Sequence, residues 1–108
     1  MTEYLKRPEG LCDRGNAAYD AIMAFLTKHE LTDTGGCVAF YSPQEWKDRG
    51  EEYGTESFLV VVYDGGEHAY AFSYDWGVPE MIDGMSKALD EIGLYSQPCT
   101  GWYSAIYD

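Results

Sequence analysis

Phe58-Leu59-Val60-Val61-Val62-Tyr63 is the longest apolar run in the chain, and its reading decides the fold. Side chains alternate between the two faces of a strand, so a strand without a polar position must be covered on both sides. The run therefore predicts a central strand. It is also far shorter than the roughly 20 apolar residues a membrane-crossing helix needs.

Downstream, Asp64-Gly65-Gly66 predicts a turn and His68 to Tyr74 a returning strand. In that strand His68, Tyr70, Phe72 and Tyr74 share one face. Ala69, Ala71 and Ser73 share the other, leaving room for a close-packed helix. Pro79 to Ile92 follows as a helix whose apolar arc holds Met81, Ile82, Met85, Ala88, Leu89 and Ile92, with Gly93 as its stop. A last strand is expected over about Trp102 to Tyr107.

Upstream, Ser42-Pro43-Gln44-Glu45 has the form of a capping box, opening a short helix through Trp46 to Arg49 that Gly50 ends. Cys37 to Tyr41 predicts a short strand. A first helix is expected from Asn16 to His29, N-capped by Asp13 or Asn16, with Ala18, Ile22, Phe25 and Leu26 on one side. Met1 to Leu11, interrupted by Lys6-Arg7-Pro8-Glu9-Gly10, is expected to be loosely held. Together these elements predict one α+β domain over residues 1–108. It would have about four strands in a largely antiparallel sheet, with two main helices and one short helix mainly on one face.

Charge is distributed unevenly over this frame. Residues 51–108 hold eleven acidic side chains and one basic one, Lys87, whereas residues 1–50 hold eight acids and six bases. The halves thus carry −10 and −2, for a net charge of −12. With 45% hydrophobic and 16% aromatic residues, the chain is too apolar for a disordered acidic tail, so the charge must coat a folded body. A net charge of about 2–8 in magnitude is enough for solubility, and the excess repels itself and destabilises the compact state. Nucleic acid and anionic membrane are poor partners for such a surface; a protein with a basic working surface is a good one.

Within the acid-rich half, Glu51, Glu52 and Glu56 occupy a polar loop, the kind of segment that often carries function. Glu80, Asp83, Asp90 and Glu91 fall on the helical arc opposite the apolar one, with Lys87 between them at i,i+4 distance from Asp83 and Glu91. Asp64, Glu67, Asp75 and Trp76 belong to a third feature, in which aromatic rings sit beside carboxylates. Its members are Glu52-Tyr53, Tyr63-Asp64, Tyr74-Asp75-Trp76 and Tyr107-Asp108. Tyr and Trp are favoured anchors at protein interfaces, and carboxylates steer a basic partner towards them.

Catalytic and metal signatures are weak. A Cys99/His68/Asp75 relay lacks any local motif, and the spacing of Asp64, Glu67, His68 and Asp75 fits neither an EF-hand nor a zincin helix. Neither Gly35-Gly36 nor Gly65-Gly66 belongs to a phosphate-binding motif. Cys12, Cys37 and Cys99, odd in number and widely spaced, suggest reduced thiols in a reducing compartment. No basic segment leads into an apolar stretch, so no signal peptide is expected, and a cytoplasmic location follows.

The segments Tyr41 to Gly54, Tyr63 to Gly66 and Cys99 to Tyr107 resemble small acidic proteins of phages and mobile elements. In size and charge the chain is similar to anti-CRISPR and anti-restriction inhibitors, some of which imitate DNA. That likeness implies an anti-defence inhibitor without cofactor or catalytic residue. It would lodge in the basic nucleic-acid site of a host CRISPR effector, restriction enzyme or nuclease. The alternatives are an immunity or antitoxin protein neutralising a basic nuclease toxin, and a small enzyme using the His68 hairpin.

Overall fold

A computed structural model describes residues 3–108. It contains three α-helices and one four-stranded antiparallel sheet, an α+β fold. The strands are β1 (Phe40–Tyr41), β2 (Leu59–Val62), β3 (Tyr95–Pro98) and β4 (Tyr103–Tyr107), in the order β1-β2-β4-β3. The helices are α1 (Asp13–Lys28), α2 (Pro43–Asp48) and α3 (Pro79–Asp90), and a 3-10 segment spans Glu67–Ala71.

The apolar run is the central strand. All four residues of β2 are buried, with β1 on one side and β4 on the other. Leu59 and Val61 point to one face, where they meet Phe40, Ile106 and the apolar sides of α1 and α3. Val60 and Val62 point to the other, into a smaller core built around Trp46 and Tyr103. The two long helices thus share one face, while α2 inserts Trp46 into the opposite one.

Local chemistry explains most element boundaries. The Ser42 hydroxyl accepts from the Glu45 N–H (3.1 Å) and the Glu45 carboxylate accepts from the Ser42 N–H (2.9 Å), which completes the expected capping box. Gly50, at φ 84°, ends α2. On α3, Met85 and Leu89 are fully buried, and Gly93 adopts φ 76° just past the end. Ile92 lies beyond the helix and is exposed, not part of its apolar arc.

Helix α1 starts earlier than the sequence suggested. Its N-cap is Cys12, Asp13 lies in the first turn, and the Asn16 amide donates back to the Leu11 carbonyl. Gly15 is inside the helix, where the backbone passes against the residue that precedes β2. A Cβ at that position would be 2.5 Å from the Phe58 carbonyl oxygen. The N-terminal segment is also better anchored than expected: Leu5 is 1% exposed, its carbonyl accepts from Tyr19 Oη, and Arg7 bonds Asp20. Met1 and Thr2, part of the segment expected to be loose, lie outside the described residues.

Two strand assignments change. His68 to Tyr74 is not a strand: Glu67–Ala71 is a 3-10 helix, and a turn over Tyr74–Trp76 follows. Both edges of β2 are already occupied, and His68 Nε2 donates to the Val62 carbonyl at 2.6 Å, which folds the chain back tightly after the glycines. The missing strand is supplied by Tyr95–Pro98, an exposed edge segment whose polar composition gave no signal. At the other edge, β1 is only two residues long, Phe40–Tyr41 within the expected Cys37–Tyr41.

Candidate functional site

The acid-rich half presents three separate groups of carboxylates. Glu51, Glu52 and Glu56 belong to a loop that crosses the sheet face opposite α1 and α3. At Gly54 (φ 86°) the loop's backbone approaches Ala105 and Tyr103, two residues of that face. Glu52, Tyr53 and Glu56 border a shallow depression of about 320 Å³ beside Gln97 and Tyr107. Glu51 is half-buried and sits 3.4 Å from the Arg49 guanidinium. Glu80, Asp83 and Asp90 are exposed on α3 and Glu91 is exposed just past its end, over the other face of the sheet. Lys87 makes no ion pair with Asp83 or Glu91 within 4.0 Å.

The third group frames a real concavity. After β2, the turn Asp64-Gly65-Gly66 leads into the 3-10 segment, and the chain then turns again through Tyr74-Asp75-Trp76. Asp64, Tyr70, Trp76 and Gly101 surround a cleft of about 390 Å³, with Tyr63 and Ala69 at its floor. Asp75 lies beside the cleft, its Oδ2 3.8 Å from where a Cβ on the lining residue Gly101 would stand. Glu67 is exposed at the start of the 3-10 helix. Trp76 is 72% exposed, Tyr74 71% and Tyr70 41%, an unusual concentration of bare aromatic surface for seven residues of chain.

The structure therefore brings Asp64, Asp75 and Trp76 together, with Glu67 in the segment between them. It leaves Glu51, Glu52 and Glu56 apart from the α3 acids. It also sorts the aromatic neighbours of the carboxylates. Tyr53, Tyr74 and Trp76 are free surface, whereas Tyr63 is buried and stacks on Phe72, and Tyr107 is half-buried. Tyr70 is the cleft residue that sequence reasoning placed wrongly, on the face of a strand. The glycine pair followed by short-period burial of His68, Ala69, Ala71 and Phe72 is the signal that fits a tight helical turn.

Beneath the cleft the groups are fixed and neutral. The Tyr63 hydroxyl hydrogen-bonds Ser104 Oγ at 2.9 Å, and burial, opposed by that bond, raises its pKa. His68 is fully buried; burial lowers its pKa, and its bond to the Val62 carbonyl offsets only part of the shift. Its Nδ1 has no partner. Burial likewise raises the pKa of Cys37 and of Cys99, which keeps both thiols protonated. The Cys99/His68/Asp75 relay is not assembled: His68 is held by Val62, while the Cys99 thiol donates to the Gln97 carbonyl. Among the described residues no three His, Cys, Asp or Glu side chains gather as a metal site.

His68 makes stability depend on pH. Its folded pKa lies below the value of about 6.5 for an unfolded histidine, so between the two the unfolded chain binds one more proton. Stability is then complete above about pH 6.5 and falls as pH drops below it, by at most about 1.4 kcal/mol per pH unit. Urea midpoints measured from pH 7.5 to 5.5 should fall accordingly in the parent and in His29→Gln. They should stay nearly flat in His68→Gln, measured against that variant's own starting stability.

No family model matches the chain, and no curated protein or solved structure matches it.

Proposed function

We propose that this chain is a binding protein whose acidic, aromatic-edged surface occupies the basic nucleic-acid site of a partner. The partner we have in mind is a host defence complex such as a CRISPR effector or a restriction enzyme, inhibited by a phage or mobile-element product in the bacterial cytoplasm. One observation carries the reading. Asp64 and Asp75 stand beside Tyr70 and Trp76, exposed and without a cation within 4.0 Å among the described residues.

Physical cost supports it. Net charge of −12 on a domain 32 × 29 × 26 Å repels itself, and the three ion pairs among the described residues engage only Glu51 of the nominated acids. Exposed Trp and Tyr supply the contact area that carboxylates alone lack, since charge mainly governs encounter and register. Among the described residues no helix is long and apolar enough to cross a membrane. Of the nominated acids we favour those of residues 64–80 as the docking surface, because exposed Tyr and Trp side chains accompany the carboxylates there.

The test is capture from a bacterial lysate at low salt, with the triple variant Asp64→Lys, Asp75→Lys, Glu80→Lys alongside. The parent should retain a basic nucleic-acid-handling complex that excess duplex DNA displaces and that high salt elutes. The variant should lose at least tenfold of that capture. Equal capture by the variant, or a complex indifferent to both salt and DNA, would overturn the reading. A basic nuclease toxin as the captured species would favour the immunity-protein alternative.

A further inference from the structure

We infer that the cleft between the Asp64 turn and Trp76 is a receptor for one arginine side chain of the partner. The inference rests on the binding reading above and names the group that enters the surface.

The first argument is the sign of the charge the cleft accepts. Asp64 lines it, the Asp75 carboxylate lies beside its lining residue Gly101, and no lining residue is basic. Two amides of the turn are already committed within the fold, which leaves it a poor anion nest. The Gly66 N–H donates to the Tyr63 carbonyl at 3.3 Å, and the Glu67 N–H donates to the Asp33 carbonyl at 2.7 Å. The lining side chains offer the Asp64 carboxylate and the rings of Tyr63, Tyr70 and Trp76, and none of them is a cation.

The second argument is shape. About 390 Å³ lies near the lower end of the volumes that hold small ligands, which suits a single long side chain better than a nucleotide-sized cofactor. Trp76 and Tyr70 present exposed rings at its sides, and a guanidinium stacks on such rings while its planar fork donates to carboxylates. An ammonium lacks the flat face and the fork, so arginine should be preferred to lysine.

The third argument is rigidity. The floor residue Tyr63 is held by Ser104 and stacked on Phe72 with ring planes 4° apart. On its outer side the turn is buttressed by the loop Asp33–Gly35. A receptor fixed before binding loses less entropy when it is filled.

The test uses the ¹⁵N-labelled full chain and three probes: acetyl-Gly-Arg-Gly-amide, the lysine peptide, and the citrulline peptide, which keeps the arginine shape without its charge. The arginine peptide should shift the Trp76 indole N–H and the amides of Gly65, Gly66 and Gly101. The lysine peptide should bind at least threefold more weakly, and citrulline should leave the spectrum unchanged. Asp64→Asn with Asp75→Asn should weaken arginine binding at least tenfold and Trp76→Ala at least fivefold. Glu52→Gln with Glu56→Gln should alter it less than twofold. All these side chains are exposed, and an unchanged melting temperature verifies the fold of each variant. Shifts spread equally over the α3 acids and the Glu51–Glu56 loop, citrulline binding as well as arginine, or a double asparagine variant within twofold of the parent would each overturn the inference. So would equal affinity for lysine. If the peptide fails while salt-sensitive capture persists, docking occurs elsewhere on the surface; if capture fails while the peptide binds, the arginine receptor stands without the proposed partner.

Discussion

Trp46→Ala is expected to lower stability by about 3–5 kcal/mol, the largest loss of any single truncation in this chain. Trp46 is fully buried, and it is the buried side chain of α2. Its ring meets Tyr103 edge-on at 4.8 Å, with Tyr41 at 5.1 Å and Trp102 at 5.8 Å, while the Arg49 guanidinium covers its outer side at 4.6 Å. Removing it would empty the centre of the smaller core and detach α2 from the sheet. A domain of this size is typically stable by about 5–15 kcal/mol, so a fifth or more of the total would go. Urea unfolding measures it, with Trp76→Ala as the comparison: that exposed ring should cost less than about 0.5 kcal/mol. A loss below about 1 kcal/mol for Trp46→Ala would mean that the second face is not a packed core.

The second large effect concerns the support of the cleft. Gly35 has φ 65°, and a Cβ there would run into the carbonyl oxygen of Gly65. Alanine therefore meets two obstacles. The left-handed backbone costs about 1–2 kcal/mol for a residue with a side chain, and the collision forces the Asp33–Gly35 loop away from the Asp64 turn. That separation would stretch the hydrogen bond from the Glu67 N–H to the Asp33 carbonyl. The combined loss should be about 2–4 kcal/mol. Gly36→Ala separates the two causes. At φ 87° with nothing within 4 Å of a Cβ, it should show only the conformational part. Denaturation of both variants checks the difference, and amide shifts at Gly65 and Gly66 should move in Gly35→Ala alone.

Much of the fold was legible because a few residues admit one reading. Six consecutive apolar positions have nowhere to go but a doubly covered strand, and Ser42-Pro43-Gln44-Glu45 satisfies its helix end from within. The Pro79 helix announced itself by periodicity and by Gly93. His68 to Tyr74 misled because alternating large and small residues fit an extended strand and a tight helical turn equally well. The competition for β2's second edge decided between them, and Tyr103–Tyr107 won it through long-range pairing that no local pattern encodes. Tyr95–Pro98 went unseen for a related reason: an edge strand that faces water has little need of apolar residues. Of the candidate site, Asp64, Asp75 and Trp76 were nominated together from ring-carboxylate adjacency. Tyr70 joined them only through the turn that replaced the expected strand. Whether the carboxylates of the α3 face and the Glu51–Glu56 loop form one surface is not legible in the sequence, and the sheet between them keeps them apart.

The margins of the sheet carry a consequence for behaviour in concentrated solution. One rim, β1, offers two residues, and the amide of the preceding Ala39 is already taken by the Tyr4 carbonyl. The other, β3, ends in Pro98, which has no N–H to give. Neither border can template an intermolecular ladder of useful length. Salt that screens the charge should therefore remove the mutual repulsion between molecules without leading them into fibrils.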